Sequence, residues 1–167
     1  MKQGVFKYDD FKIELKETET VGLRVYPLDK THGKDPIRMI TEISHFKGEL
    51  AIDNPKNKSG VKNKKEFAGY PKLSTDKETK IYYNAKGIYN GVYDSSRFYF
   101  TLDPFSLDSL DDFAERRLRL SGELTSAGIF PQIKDSVQIM EDYSFGFFRD
   151  VHKKDLQHIT NGDLDAL

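Results

Sequence analysis

Between Phe98 and Ser126 the chain carries two runs in which apolar and polar residues alternate one by one, a pattern that a helix cannot sort onto one face. In the first run Phe98, Phe100 and Leu102 alternate with Arg97, Tyr99 and Thr101. In the second, Leu118, Leu120, Gly122 and Leu124 alternate with Arg117, Arg119, Ser121, Glu123 and Thr125. Successive strand side chains point to opposite sides, so each run has one apolar face and one wet face, as in an antiparallel sheet packed on one side. Phe98, Phe100, Leu102, Leu118, Leu120 and Leu124 are the candidate lining of an apolar groove. Leu118, Leu120 and Leu124 are expected on the buried face.

Weaker alternations fill much of the remaining chain. Phe11, Ile13 and Leu15 alternate with lysines and glutamate, and Val21, Leu23 and Val25 repeat the pattern after the polar stretch Glu17 to Thr20, which predicts a hairpin. Ile37, Met39 and Ile43 occupy odd positions, whereas Phe46, Gly48, Leu50 and Ile52 occupy even ones. A parity change requires an extra residue, so a bulge or break is expected at Ser44 and His45. Two short strands, Ile81 to Tyr83 and Ile88 to Tyr93, are expected around Asn84-Ala85-Lys86-Gly87, with Gly87 supplying a positive φ. Ile129 to Ile133, Val137 to Met140 and the alternating Tyr143, Phe145 and Phe147 are further strand candidates. Leu107, Leu110, Phe113 and Ala114 recur at near-helical spacing, and Ser109 with Asp111 and Asp112 favours one short helix there. The predicted fold is mainly β: an antiparallel open curved sheet or sandwich with at most one or two short helices. It forms a single domain over residues 1–148, followed by a polar tail, 149–167.

The 12 Phe and 9 Tyr put much of the apolar surface on rings with strong strand preference. The 26 basic and 27 acidic residues nearly cancel, which argues against an overall attraction to nucleic acid or anionic membrane. Without cysteine the chain has no disulfide, thiolate metal site or cysteine nucleophile, and its compartment stays open. No segment approaches the roughly 20 apolar residues of a membrane-spanning helix. Met1-Lys2-Gln3-Gly4 leads straight into Val5 without the apolar core of a signal peptide, so no targeting signal is read in the chain.

Motifs that would carry chemistry are sparse. Lys56, Lys58, Lys62, Lys64 and Lys65 crowd the loop Asn54 to Glu66, but no aromatic or Gly-rich cradle accompanies them, and a solvated loop is the preferred reading over an anion grip. Asp103, Asp108, Asp111 and Asp112 lack the ligand spacing of a calcium loop. His32, His45, His152 and His158 are dispersed and fit no zinc motif, and there is no nucleophile elbow or phosphate-binding fingerprint. The residues therefore point to no cofactor, no metal and no catalytic group. Tyr82, Tyr83, Tyr89, Tyr93 and Tyr99 form an aromatic belt able to stack on sugars or line an apolar groove, with cross-strand packing the preferred reading.

Several phrases resemble a segment of the very large AsmA-like or TamB-like envelope proteins of Gram-negative bacteria. They are Gly48-Glu-Leu-Ala-Ile-Asp-Asn-Pro-Lys-Asn-Lys-Ser-Gly60, the Tyr82-Tyr83 pair, Gly91-Val-Tyr93, Phe98-Tyr-Phe100, Leu102-Asp-Pro-Phe105, Asp108-Ser-Leu110 and Ser121-Gly-Glu-Leu-Thr-Ser-Ala-Gly-Ile-Phe-Pro131, within a similarity running from about Val21 to Phe147. The resemblance implies a β-rich, non-enzymatic module of a periplasmic or envelope protein, serving as scaffold or as part of an apolar groove for lipid transfer or envelope assembly. It implies neighbouring modules of the same protein or other envelope proteins as partners, together with lipid. The chain departs from the family in its short length, its lack of an N-terminal anchor and its polar end, which suggests an excised piece. The alternative is a free-standing carbohydrate- or protein-binding β-sandwich.

Overall fold

The computed structural model describes residues 3–27, 33, 35–61, 64–85, 88, 91, 93–112 and 118–148. Among them the chain is mainly β, as its alternation requires, and its principal sheet is antiparallel, open and curved into a half-barrel. The strands are β1 (Gln3–Lys7), β2 (Lys12–Val21), β3 (Arg24–Val25), β4 (Ile37–Arg38), β5 (Ile43–Ala51), β6 (Lys72–Thr75), β7 (Thr79–Tyr82), β8 (Phe98–Leu102), β9 (Phe105–Leu107), β10 (Leu120–Ser126), β11 (Ile133–Ile139) and β12 (Phe145–Gly146). Across the main sheet they run β1-β2-β5-β7-β8-β10-β11-β12, with β6 pairing both β5 and β9, while β3 and β4 form a separate two-stranded sheet.

Register explains why one face is apolar. Ile133, Leu124, Phe100, Ile81, Ile43 and Val21 stand opposite one another along a single row that crosses six strands. A second row, Phe6, Ile13, Leu50, Leu73 and Leu107, crosses β1, β2, β5, β6 and β9. The two alternating runs first read from the sequence are β8 and β10, paired directly, with Leu124 opposite Phe100 and Ser126 opposite Phe98.

A break is present where one was expected: His45 adopts a φ of 57°, and Ile43 and Phe46 are both fully buried although they differ in parity. The extra residue of the β2–β5 ladder lies on β2, where Leu15 and Thr18 face Gly48 and Phe46. A similar interruption separates β6 from β7. There the Thr75 hydroxyl donates to the Lys47 carbonyl (2.6 Å) and accepts from the Lys77 N–H (3.0 Å), pinning the offset between the two strands. Asp103 and Pro104 divide β8 from β9, where proline has no N–H to give a ladder.

Three expectations are corrected. The stretch Glu17 to Thr20 does not turn: β2 is one continuous strand, and its hairpin partner is β1. The reason is that Thr18 sits buried on the inner face and Thr20 pairs with Ser44, so the β-branched threonines keep the pleat although they are polar. Of the strand expected over Ile88 to Tyr93, the described residues Ile88, Gly91 and Tyr93 are not in a strand. The Ile88 N–H bonds the Ala85 carbonyl and the Gly91 N–H bonds the Ile88 carbonyl (both 2.8 Å), a pair of successive turns, and β7 pairs β8 instead. Lys86, Gly87, Tyr89, Asn90 and Val92 lie outside the described residues. Where the helix was expected, the described residues Leu110–Asp112 form a 3-10 turn, preceded by Ser109 at a φ of 52° rather than in the extended backbone of an N-cap. Phe113, Ala114 and the tail 149–167 fall outside the described residues.

The curved sheet is fastened across its opening. Between β2 and β3, and again between β4 and β5, the chain bends so that Leu23, Val25 and Met39 enter the core, and the Met39 N–H donates to the Leu23 carbonyl at 3.0 Å. From that bend the Ile40 N–H reaches the Tyr143 carbonyl (2.9 Å), and the Thr41 hydroxyl oxygen accepts from the Phe145 N–H (2.8 Å). Residues 104 apart in sequence thus meet over the inner face.

Candidate functional site

The six sequence candidates gather on the inner face. Phe100, Leu102, Leu118, Leu120 and Leu124 are buried and belong to one continuous core, with the half-buried Phe98 packed against it. That core also includes Val25, Met39 and Phe145, and the Phe147 ring lies 5.9 Å from that of Phe100. The candidate lining therefore exists as a surface in register, and side chains of the same chain fill it. The closure by Thr41, Tyr143 and Phe145 escapes sequence reading, because none of these residues carries a local pattern that points at the others.

One rim of this face is aromatic. Tyr93 stacks on Phe98 (4.5 Å, 22° between planes), and Tyr83 meets the same ring edge-on at 5.7 Å. Burial pushes the Tyr83 phenol well above the ordinary tyrosine range, because the phenolate would lose its hydration there. The expected belt is thus divided: Tyr83 and Tyr93 serve packing, while Tyr82 and Tyr99 stand on the outer face. Outside, the Tyr82 and Tyr99 rings meet at 6.1 Å, the Tyr82 hydroxyl and His45 Nε2 share a hydrogen bond of 3.0 Å, and Lys80 Nζ lies 4.1 Å from the Tyr99 centroid. Cross-strand packing accounts for these contacts, and Lys80 occupies the ring face that a sugar would need.

The Lys-rich loop is organised from within. Buried Asn57 donates from Nδ2 to Asp53 Oδ2 (2.9 Å) and to the Val61 carbonyl (3.0 Å), and its Oδ1 accepts from the Val61 N–H (2.9 Å). Asn and Asp close such local turns with their own side chains, the one sequence signal that marks this loop. Lys58 donates to the Asp9 carbonyl (2.7 Å) and lies 4.7 Å from the Phe11 ring centre, while Lys64 faces Glu66 at 3.8 Å. Lys62 lies outside the described residues. Beside the loop lies a depression of about 780 Å³ lined by Asp53, Asn57, Lys64, Lys65, Tyr70 and Asp111.

A second depression, about 930 Å³, follows the interruption between β6 and β7, where Lys16, Lys47 and Lys77 alternate with Glu14, Glu49 and Asp76. Its charges are already paired in part: Glu49 with Lys12 at 2.9 Å, and Glu14 with Lys7, whose ammonium holds that carboxyl below its ordinary value. Among the described residues no group of three or more His, Asp or Glu is placed to hold a metal ion, and no helix is long and apolar enough to cross a membrane. Comparison with protein-family models, with curated proteins and with solved structures returned no match to this chain.

Proposed function

We propose that this chain is a non-enzymatic β-sheet module of a bacterial envelope protein, acting as scaffold within a longer curved sheet used in lipid transfer or envelope assembly. The observation that carries the reading is the half-barrel itself, a sheet that never closes into a barrel yet keeps two apolar rows in register along its inner face. The phrases from Gly48 to Pro131 that resemble AsmA-like and TamB-like proteins supply the envelope setting and the neighbouring modules as partners. Scaffold is favoured over groove because the six candidate lining residues are covered by the chain's own segments. A lipid role would require 143–147 to lift from Phe100.

Two arms test this. Tagging the protein in its own cell, fractionating the cell and photo-crosslinking should recover it in the envelope fraction joined to another β-rich protein. Recovery only as a free soluble species would overturn the module reading. Purified protein mixed with a fluorescent phospholipid should show no binding, and binding that Leu124→Glu abolishes would replace scaffold by groove. The β-sandwich alternative gains little from the structure: β3 and β4 are the only strands outside the main sheet among the described residues, and Lys80 covers Tyr99.

A further inference from the structure

Exposed apolar side chains are not scattered over this molecule. Of the six large hydrophobic residues that remain exposed among the described ones, Val5, Phe6, Tyr8 and Ile52 lie at the β1–β2 hairpin or directly beside it, where the Ile52 N–H bonds the Phe11 carbonyl. β1 is a terminal strand of the main sheet, and no described strand pairs its outer side. Sheet edges are normally guarded by charge, proline, a short strand or a covering segment. The other edges have such guards: β12 is two residues long and abuts the bend at Ile40 and Thr41, and β9 follows Asp103 and Pro104. The centre of β1, Gly4-Val5-Phe6, has none among the described residues, and the charge at Lys7 is held by Glu14.

We infer that β1 pairs antiparallel with β1 of a second copy of this chain, about a two-fold axis through Val5, so that two half-barrels continue as one sheet. In this register Val5 faces Val5, Phe6 faces Gly4 of the second copy, and Lys7 faces Gln3. No like charges oppose each other, and the aromatic ring lies over a glycine, a pairing that compensates for the glycine's missing side chain. Gly4 pairs with Leu15 within its own sheet, so Phe6 prolongs the inner row Leu107-Leu73-Leu50-Ile13 across the junction toward that leucine of the second copy. Self-pairing is the occupant that β1 fits on its own pattern, and it does not rest on the envelope reading. A contact of five residues per strand lies at the small end of protein interfaces, below roughly 1,200 Å², so the dimer is reversible.

Sedimentation velocity on the intact chain should show a monomer–dimer equilibrium at tens to hundreds of micromolar, and Val5→Lys, which sets two ammonium groups opposite each other, should weaken it about tenfold or more. Because the chain has no cysteine, single-cysteine variants report the register directly. Val5→Cys should form a disulfide-linked dimer on mild oxidation, since directly opposed strand residues approach to about 4.5–5.5 Å between Cβ atoms, close to bridging distance. Tyr26→Cys, at another exposed site, should not. Circular dichroism on each variant confirms that the fold persists. A chain that stays monomeric to about 1 mM, a dimer indifferent to Val5→Lys, or equal cross-linking of the two cysteine variants would overturn the proposal.

Discussion

Two buried threonines offer a test in which one substitution should act with opposite signs. Thr41 and Thr79 are both essentially inaccessible, at 1% and 0% of their surface. The Thr41 hydroxyl oxygen accepts the Phe145 N–H at 2.8 Å, whereas the Thr79 hydroxyl has no partner among the described residues. Replacing threonine by valine preserves shape and removes only the hydroxyl. At position 41 that change leaves a buried backbone N–H without an acceptor, which costs about 1–3 kcal/mol. For a domain of this size each kcal/mol shifts Tm by roughly 2–4 °C, so Thr41→Val should lower Tm by about 2–12 °C. At position 79 the hydroxyl is buried without compensation, a penalty of about 1–3 kcal/mol on mutational scales, part of which valine recovers. Thr79→Val should therefore be neutral or raise stability by about 1 kcal/mol. Urea denaturation followed by circular dichroism measures both. If the two variants fall by the same amount, or Thr79→Val falls further, the partner assignment at the closure is wrong.

Leu120→Ala, 2% exposed in the core, should cost about 2–5 kcal/mol by the same assay, and a loss below about 0.5 kcal/mol would mean that this face is not packed. Gly122→Ala should cost about 1–3 kcal/mol or more, because a Cβ there would collide with the Thr101 carbonyl oxygen and lie 2.6 Å from Phe100 Cε1; a variant as stable as the parent would show that β8 and β10 are not so closely apposed. Tyr83, whose phenol is held above its ordinary value near 10 by burial, should stay protonated while exposed tyrosines titrate. The unfolded chain loses that proton first, so this contribution is complete below about pH 10 and is lost as pH rises toward the folded value. Absorbance at 295 nm should show a tyrosine that ionises only with unfolding, a step that Tyr83→Phe removes.

Where alternation was strict, the sequence was a sound guide: Phe98 to Leu102 and Leu120 to Ser126 are strands, they are neighbours, and their apolar residues share a face. Parity alone located the backbone break at His45. Polarity misled at Thr18 and Thr20, because a threonine reads as a break in a hydrophobic pattern yet fits the pleat. β6 and β9, four and three residues long, are too short for a period to emerge, and their pairing with each other depends on the interruptions at Asp76 and Pro104. The six-residue apolar surface was legible as a surface. Its occupation was not, since Phe145 and Thr41 find each other only after the whole sheet has formed.

That last contact sets a schedule for synthesis. Chain emerges from the ribosome at roughly 5–20 residues per second, so about 5–20 s separate the appearance of Thr41 from that of Phe145, 104 residues later. During that interval β1, β2 and β5 are able to pair, but Ile43, Phe46 and Ile81 lack the C-terminal segment that fastens the opening over them. Pairings of such long range slow folding, and the waiting sheet edges invite contact with other nascent chains on the same message. Growth rate, temperature and the supply of holdase chaperones should thus govern the yield of this protein in cells more strongly than its final stability does.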